Sequence, residues 1–307
     1  MQTQYDAVVI GAGSGGLTAA IGLKKAGKSV FLIEREHIGG ECTNSGCVPS
    51  KALLHHAKSY HGAQAITGKT EQGEAYRREA LAYVRTKINE VLAEESPETL
   101  AEHGIDFVSG EAEFTAPCLV RVSETEYRYK KAVIATGSGP RRLDIEGLSE
   151  EDTLTNQNVF TLEEAPERLL VIGSGPIGLE LGQAFALLGS QVTIATIDDR
   201  VARLEDPALS PIITKRMEDQ GVRFLKNAFI DRVEHKEALF SLKEGAEVTG
   251  TERIGFDKVL IAVGRVPHLP AGLEAAGIAS TQHGITIDER HRSTNRHVYA
   301  VGDVCQR

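Results

Sequence analysis

The sequence has few cysteines, no long apolar run and no excess of positive charge. Four cysteines in 307 residues are too few to cross-link a secreted scaffold of this length. The first apolar run, residues 7–10, ends at a glycine well short of a signal-peptide core or a membrane span, and no basic segment precedes it. These deficits predict a cytoplasmic protein with neither a signal peptide nor a membrane span.

The balance of charged residues argues against some classes of binding partner. Lysine and arginine number 34 and the acidic residues 43, for a formal net charge of −9. This surplus of acid argues against a surface that binds nucleic acid or anionic membrane. At roughly 150 residues per domain the length predicts two domains, and glycine is abundant, with 31 residues.

One order of elements occurs twice along the chain. A short β-branched strand is followed by a glycine-rich turn, a helix and a second strand. The first copy comprises residues 6–10, 11–16, 17–25 and 29–34, and the second comprises residues 169–172, 173–178, 179–188 and 191–195. The repeat predicts an α/β fold with two nucleotide-binding units.

The remaining elements are read from hydrophobic spacing and breaker residues. Helices are predicted over 48–60 and 73–93. Strands are predicted over 105–108, 119–122, 131–136, 223–225, 229–233, 240–242, 258–263, 284–287 and 297–301. Residues 137–148, rich in Gly, Pro and Arg, mark a boundary, and residues 264–267 are expected to interrupt the strand pattern.

The first glycine turn has the spacing of a dinucleotide-binding motif. Gly11 permits a tight turn, Gly13 allows a pyrophosphate close to the backbone, and Gly16 allows close packing of helix on strand. Glu34, at the tip of the second strand, can accept hydrogen bonds from a ribose. A turn with a purely structural role is the alternative.

Cys42 and Cys47 are separated by four residues. A zinc site is disfavoured because no second close pair of cysteine or histidine completes a tetrahedral set, and His55 and His56 point in different directions on a helix. Two routes remain open: a redox pair, with a helix that begins near Val48 favouring the Cys47 thiolate, or two unpaired buried cysteines.

The segment from Gly39 to Lys51, GGECTNSGCVPSK, resembles the redox-active disulfide motif of the pyridine nucleotide-disulfide oxidoreductases, the group of glutathione reductase, dihydrolipoamide dehydrogenase and mercuric reductase. Further landmarks of that family follow in order: Ala135-Thr136-Gly137, the second glycine turn with Glu180, Gly264-Arg265 with Pro267, and Tyr299-Ala300-Val301-Gly302-Asp303. The opening Gly-Glu-Cys, the pair Leu53-Leu54 and the ending Asp303-Val304-Cys305 look most like the mercuric reductase branch.

The resemblance implies two Rossmann-like domains with central parallel sheets in three layers, the second inserted into the first. The implied boundaries are 1–148 and 266–307 for an FAD-binding domain and 149–265 for an NAD(P)-binding domain. The implied FAD-binding residues are Gly11, Gly13, Ser14, Gly15, Gly16, Glu34, Gly40, Glu41, Thr43, Lys51, Ala112, Ala135, Thr136, Gly137, Gly302 and Asp303. Those implied for NAD(P) are Gly173, Gly175, Pro176, Ile177, Gly178, Glu180, Thr196 and Gly264.

The resemblance also implies the catalytic roles. Electrons would pass from NAD(P)H through FAD to a Cys42–Cys47 disulfide, with Cys47 nearer the flavin and Cys42 as the thiol that meets the substrate. Lys51 would lie against the flavin and pair with Glu180. Without the resemblance, those two charges are simply solvated helix residues.

The choice of nicotinamide rests on the tip of the strand at 191–195. Thr196 occupies the place of the ribose-binding acid of NAD users, and Ile197 that of an arginine of NADP users. Arg200 and Arg203 are within reach of a 2′-phosphate, whereas Asp198 offers a carboxylate to a ribose. The pattern, with Gly178, favours NADH over NADPH.

Relatives in this family continue into an interface domain that forms a homodimer and supplies a His-Glu pair, and no such motif occurs here. His291 and His297 are expected to flank strands. The resemblance therefore implies a truncated piece of a longer chain, with a naturally shortened relative as the alternative. The implied acceptor is a small-molecule disulfide, a quinone or a metal ion. The alternative is a flavoprotein limited to dye or quinone reduction. No resident metal is expected.

Overall fold

The computed structural model describes residues 3–67 and 74–306. The helices are α1 (Ser14–Lys25), α2 (Gly40–Asn44), α3 (Cys47–Thr67), α4 (Glu74–Leu92), α5 (Pro97–Glu102), α6 (Pro176–Leu187) and α7 (Leu209–Glu218). Short 3-10 turns lie at Val159–Thr161 and Gly302–Val304. Position 73, the predicted start of the second long helix, lies outside the described residues.

The strands account for most of the remaining regular structure. They are β1 (Gln4–Ile10), β2 (Val30–Glu34), β3 (Asp106–Ser109), β4 (Ala112–Ala116), β5 (Leu119–Val122), β6 (Thr125–Ile134), β7 (Ser138–Pro140), β8 (Thr153–Leu154), β9 (Arg168–Ile172), β10 (Gln191–Ala195), β11 (Arg223–Leu225), β12 (Ala228–Glu234), β13 (Glu237–Glu244), β14 (Glu247–Gly255), β15 (Lys258–Ile261), β16 (Arg265–Pro267), β17 (Ser280–Thr281), β18 (Gly284–Ile285) and β19 (Val298–Ala300).

The chain divides into two compact units. The first comprises Met1–Asn44, Ile88–Gly139 and Arg265–Arg307, and the second comprises Ser45–Lys87 and Pro140–Gly264. The predicted domain boundaries at residues 148 and 265 separate the parts of the chain that bind different nucleotides. The division into compact units does not test nucleotide binding, so these boundaries stay predictions.

The first unit is built on a mostly parallel sheet. Its strand order is β3-β2-β1-β6-β5-β4, and β19 also pairs with β6. Strands β3, β2, β1, β6 and β19 run parallel, whereas β4 and β5 form an antiparallel extension. Residues 7–10 of β1 and 30–33 of β2 are continuously apolar and buried, because a sheet covered on both faces buries every side chain. Phe31 and Tyr127 meet within this core, with ring centroids 4.3 Å apart.

Register brings several strand ends of the first unit to one edge. Ile10 pairs with Ile33 on one side and Ile134 on the other, and Ala300 also pairs with Ile134. The next residue along each strand therefore reaches the same edge of the sheet. Ligands of open parallel sheets bind outside the carboxyl ends of the strands, so this edge is where a site is expected.

The second unit carries its own parallel sheet, in the order β11-β10-β9-β15-β8, and a separate antiparallel sheet of β12, β13 and β14. Ile172 pairs with Ala195 and with Ile261, so three strand ends again share an edge. Helix α6 packs on β9 and β10. The repeated order of strand, glycine turn, helix and strand is thereby confirmed in both units.

Most predicted elements are confirmed, including the strands over 6–10 and 191–195 and the helix over 17–25. The expected break in the strand pattern at residues 264–267 is confirmed only in part: β15 ends at Ile261 and Gly264 lies in no strand, but Arg265–Pro267 forms β16, which pairs with β7. Within the described ranges, no helix is both long and apolar enough to cross a membrane.

Candidate functional site

The first glycine turn joins β1 to α1 through very close backbone contacts. Gly11 has φ +99°, and a β-carbon on it would lie 2.4 Å from the Ala135 carbonyl oxygen. A β-carbon on Gly16 would lie 1.8 Å from the Gly11 carbonyl oxygen. A β-carbon on Gly13 would instead meet only the Gly40 Cα, at an ordinary van der Waals distance of 3.8 Å. Two glycines are therefore required by the protein's own packing, and the third keeps space free.

The space beside Gly13 lies at the amino end of α1. Gly13 is the N-cap residue and has no side chain that could cap the N–H groups of the first turn. That turn, which includes Ser14, Gly15 and Gly16, contains no acidic residue. Backbone N–H groups at a helix start attract anions. This end of the helix therefore fits a phosphate group.

Glu34 ends β2 with its carboxylate held by the backbone. The Ala12 N–H donates to Oε2 at 2.7 Å, and the Glu36 N–H donates to Oε1 at 2.8 Å. Each oxygen retains a further lone pair for a hydroxyl group. The carboxylate is therefore oriented before any ligand arrives.

A cleft next to Glu34 contains about 450 Å³ of empty space, part of it open to solvent. Its lining comprises Ile10, Gly11, Ile33, Glu34, Arg35, Gly110, Glu111, Ala112, Thr136, His268, Leu269 and Pro270. An apolar floor with one oriented carboxylate suits the adenosine part of a dinucleotide. Ala112, predicted from the resemblance, lies in this lining.

Residues 135–137 are fixed by a segment distant in sequence. The Thr136 hydroxyl donates to the His268 carbonyl at 2.5 Å, and the His268 N–H donates to the Gly137 carbonyl at 2.9 Å. Burial, with a contribution from the positive charge of Arg35, lowers the pKa of His268. The imidazole in the cleft is therefore favoured in its neutral form.

Asp303 belongs to a polar cluster in the first unit. The Ser138 hydroxyl donates to its Oδ2 at 3.0 Å, and Arg265 Nε lies 3.4 Å from the same oxygen. Arg265 also donates to Ser138 and pairs with Glu41. Ser138 and His268 were missed in the sequence, because nothing local distinguishes them from ordinary loop residues.

The predicted redox cysteines lie at consecutive helices. Cys42 is half-buried in α2, and Cys47, the first residue of α3, is exposed. In the first unit, Thr43 donates to Glu95 at 2.8 Å. In the second, the Ser50 N–H donates to the Gly46 carbonyl at 3.0 Å, which closes the first turn of α3 around Cys47.

Lys51 lies one turn after Cys47 in α3. Its Nζ is 2.9 Å from Glu180 Oε2, with the lysine side chain 64% and the glutamate side chain 24% exposed. The ion pair predicted from the sequence is confirmed. An exposed pair of this kind contributes about 1 kcal/mol or less to stability, so orientation of the ammonium group is its main effect.

The second glycine turn repeats the geometry of the first. A β-carbon on Gly173, with φ +110°, would lie 2.4 Å from the Ala262 carbonyl oxygen, and one on Gly178 would lie 2.1 Å from the Gly173 carbonyl oxygen. Gly175 caps α6 with nothing within 4 Å of a β-carbon, and Pro176 begins the helix. The second turn thus also leaves space at a helix start, where Ile177 follows.

Charged side chains at the tip of β10 are already paired. Asp198 Oδ1 lies 3.0 Å from Arg203 Nη1, and the Asp198 N–H donates to the hydroxyl of the buried Thr196. Arg200 donates to the carbonyls of Glu205 and Arg203. Neither guanidinium is held towards the glycine turn by the contacts described.

The other predicted site residues fall near these features. Gly40 packs on Gly13, Gly302 starts the 3-10 turn of Asp303, and Gly264 accepts a backbone hydrogen bond from Arg141. His291 and His297 lie beside β19 and make backbone contacts, as expected of residues that flank a strand.

Two glycine turns at the carboxyl edges of two parallel sheets define a chain with two dinucleotide-binding folds. Residues 5–307 match the family described as pyridine nucleotide-disulphide oxidoreductase, and the chain belongs to that family. The resemblance and the fold class predicted from the sequence are confirmed.

Individual relatives agree with this assignment. The chain is 34% identical over 309 residues to a mercuric reductase of Lysinibacillus sphaericus, covering 99% of this chain and 56% of that protein. It is 35% identical over 317 residues to a dihydrolipoyl dehydrogenase of Bacillus subtilis, covering 99% and 66%. The HOCl-induced flavoprotein disulfide reductase RclA of Escherichia coli has a similar structure, with TM-score 0.83, 30% identity, and coverage of 98% and 66%. The chain thus spans about half to two thirds of these relatives' lengths.

Proposed function

We propose that this chain carries the electron-transfer part of an FAD-dependent NAD(P)H oxidoreductase that reduces a disulfide or a metal ion through Cys42 and Cys47. The observation that carries this proposal is the position of Cys47 at the start of α3, one turn before the Lys51–Glu180 ion pair. A cysteine pair with an oriented ammonium group nearby is suited to thiolate chemistry.

The first unit fits FAD. At Gly13, beside the start of α1, a β-carbon would have no neighbour closer than 3.8 Å, and the Glu34 carboxylate is oriented at the neighbouring strand tip. Gly13 would admit the pyrophosphate, Glu34 would bind the adenosine ribose, and Asp303 would bind the ribityl chain. Bound FAD would supply two-electron transfer between the nicotinamide and the cysteine pair.

The cysteines would carry out thiol–disulfide exchange. Two electrons and two protons convert their disulfide to two thiols. The Cys42 thiolate then attacks one sulfur of an external disulfide, and the other sulfur leaves as a thiolate. Cys47 next attacks Cys42 in the mixed disulfide, which releases the second product thiol and restores the internal disulfide.

The acceptor and the assembly are further parts of the proposal. The relatives' names include mercuric reductase, dihydrolipoyl dehydrogenase and disulfide reductase, which supports a small-molecule disulfide or a metal ion as the acceptor. A quinone is the acceptor proposed for a flavoprotein without thiol exchange. A homodimer and a cytoplasmic location stay predictions. No nucleic-acid partner is proposed, because the net charge is −9.

The test begins with the purified chain reconstituted with FAD. We expect a bound-flavin spectrum, and addition of NADH should produce the long-wavelength absorbance of a thiolate beside an oxidised flavin. Failure to retain FAD would overturn the proposal. Turnover is then compared with a dye, a disulfide and mercuric ion. Reduction of the dye alone would favour the flavoprotein without thiol exchange.

We propose NADH as the donor. The Asp198–Arg203 ion pair and the bonds from Arg200 to backbone carbonyls occupy the two guanidinium groups that a 2′-phosphate needs. Asp198→Ala removes an acid that repels the phosphate and releases Arg203. We expect the ratio of kcat/KM for NADPH to that for NADH to rise about tenfold, which corresponds to about 1.4 kcal/mol.

Asp219→Ala is the matched control, because Asp219 forms an exposed ion pair with Lys215 in the same unit. That variant should retain the wild-type ratio. A wild-type protein that prefers NADPH, or an unchanged ratio in the Asp198 variant, would contradict the assignment.

A further inference from the structure

Arg265 joins three segments of the first unit that are far apart in sequence. Its Nη2 donates to the Ser138 carbonyl at 2.6 Å and contacts Glu41, while its Nε donates to the Ser138 hydroxyl at 2.8 Å. The same Nε lies 3.4 Å from Asp303 Oδ2. One guanidinium group thus meets an acid of α2, the start of β7 and the acid that follows β19.

The arrangement restrains Asp303 on one side. Oδ2 receives the Ser138 hydroxyl at 3.0 Å as well as the approach of Arg265. No hydrogen bond to Oδ1 is described for residues 3–67 and 74–306. The carboxylate, 54% exposed, is therefore held through one oxygen while the other is available to a ligand hydroxyl.

The guanidinium itself has little freedom to turn away. Its side chain is 28% exposed, and contacts to Glu41 and to both oxygens of Ser138 fix its plane. A planar fork with five N–H donors can hold several acceptors at once, whereas a lysine ammonium is a point charge on a flexible stem. The cluster therefore requires arginine for its geometry as well as its charge.

We propose that Arg265 is a positioning residue, which together with Ser138 orients the Asp303 carboxylate for the ribityl hydroxyls of the cofactor. This inference rests on the proposed function, in which Asp303 binds FAD. It assigns to Arg265 an effect on cofactor affinity that operates through Asp303, with no requirement that the guanidinium contact the cofactor.

The test measures the FAD dissociation constant of the apoprotein by quenching of flavin fluorescence. We expect Arg265→Gln to weaken FAD binding about tenfold. Arg265→Lys should bind FAD more tightly than Arg265→Gln but less tightly than the wild type, because lysine keeps the positive charge but lacks the planar array of N–H donors. Ser138→Ala should weaken binding by a smaller factor. Arg168→Gln, which removes another arginine paired with an aspartate, should retain wild-type affinity.

A double-mutant cycle separates positioning from general damage. If Arg265 operates through Asp303, then Arg265→Gln added to Asp303→Asn should weaken binding no more than Asp303→Asn alone. Additive losses, or an Arg265→Gln protein with wild-type affinity, would overturn the inference while leaving the FAD proposal intact. Wild-type protein that binds no FAD would overturn both. Thermal unfolding of each apoprotein identifies variants that fail to fold. If Arg265→Gln is one of them, the FAD affinity of Arg265→Lys is compared with that of the wild type instead.

Discussion

Gly16→Ala is expected to destabilise the folded apoprotein by about 4 kcal/mol or more, the range of exceptional single substitutions. The added β-carbon would lie 1.8 Å from the Gly11 carbonyl oxygen and 2.9 Å from the Gly11 carbonyl carbon, so β1 and α1 must separate. Gly11 directly follows the central strand β1 and its N–H donates to the Ile33 carbonyl, so its backbone atoms cannot move aside as a flexible side chain can. Denaturant unfolding of the apoprotein, or its yield in soluble form, measures the effect.

Gly13→Ala is the matched variant in the same turn. Gly13 already has a backbone conformation that alanine adopts, with φ −75°, and its β-carbon would have no neighbour closer than 3.8 Å. We expect the stability of the apoprotein to change by about 0.5 kcal/mol or less, whereas FAD affinity falls because the methyl group occupies the proposed pyrophosphate space. Unchanged FAD affinity in this variant would place the pyrophosphate elsewhere.

Replacement of Cys42 or Cys47, the proposed redox cysteines, by serine is expected to reduce turnover with a disulfide substrate about a thousandfold or more, as losses of a catalytic nucleophile do. Reduction of a dye by NADH should continue, because it bypasses the thiols. The two variants should differ in their spectra. Cys47→Ser should lose the long-wavelength absorbance that NADH produces, and Cys42→Ser should retain it, since Cys47 is proposed to lie nearer the flavin.

Cys118→Ser provides the control for the cysteine variants. Cys118 is half-buried, packs against the apolar core of the first unit and is not part of the motif that resembles the redox disulfide. Its replacement should leave both turnover and spectrum unchanged. Disulfide turnover that survives in Cys42→Ser or Cys47→Ser would contradict the proposed exchange mechanism.

The elements of both glycine turns could be predicted from the sequence because their determinants are local. A β-branched run followed by Gly11, Gly13 and Gly16 specifies strand, turn and helix within a few residues, and the same holds for Gly173, Gly175 and Gly178. The structure adds the reason for each glycine. A β-carbon on the first or third glycine of each set would clash with a backbone oxygen, whereas one on Gly13 would meet only the Gly40 Cα at 3.8 Å and one on Gly175 would meet nothing within 4 Å.

Contacts between distant segments could not be predicted in this way. Strand β16 forms because Arg265–Pro267 pairs with β7, and no periodicity in three residues signals such a pairing. The interactions of Arg265 with Ser138 and Asp303 depend on the same long-range register. The Lys51–Glu180 pair was accessible only because a family resemblance supplied what spacing could not.

The paired charges at β10 show a third kind of limit. The sequence predicts that Asp198, Arg200 and Arg203 lie near the nicotinamide nucleotide. It leaves open which of the three side chains contacts that nucleotide. Their partners support the proposed preference for NADH, because a guanidinium bound to a carboxylate or to carbonyls must break those bonds before it receives a phosphate. The order of residues along this segment does not show which partner each charged side chain binds.

The pairing of β19 with β6 has a consequence for synthesis of the protein. Ala132 on β6 finds its partner Val298 only after more than half of the chain has followed it from the ribosome. At about 5–20 residues per second, that delay is on the order of ten seconds. During this interval the second unit can fold from sequence already made, while the carboxyl half of β6 presents an open hydrogen-bonding edge. Such edges promote aggregation, so nascent chains are vulnerable throughout the interval before β19 emerges.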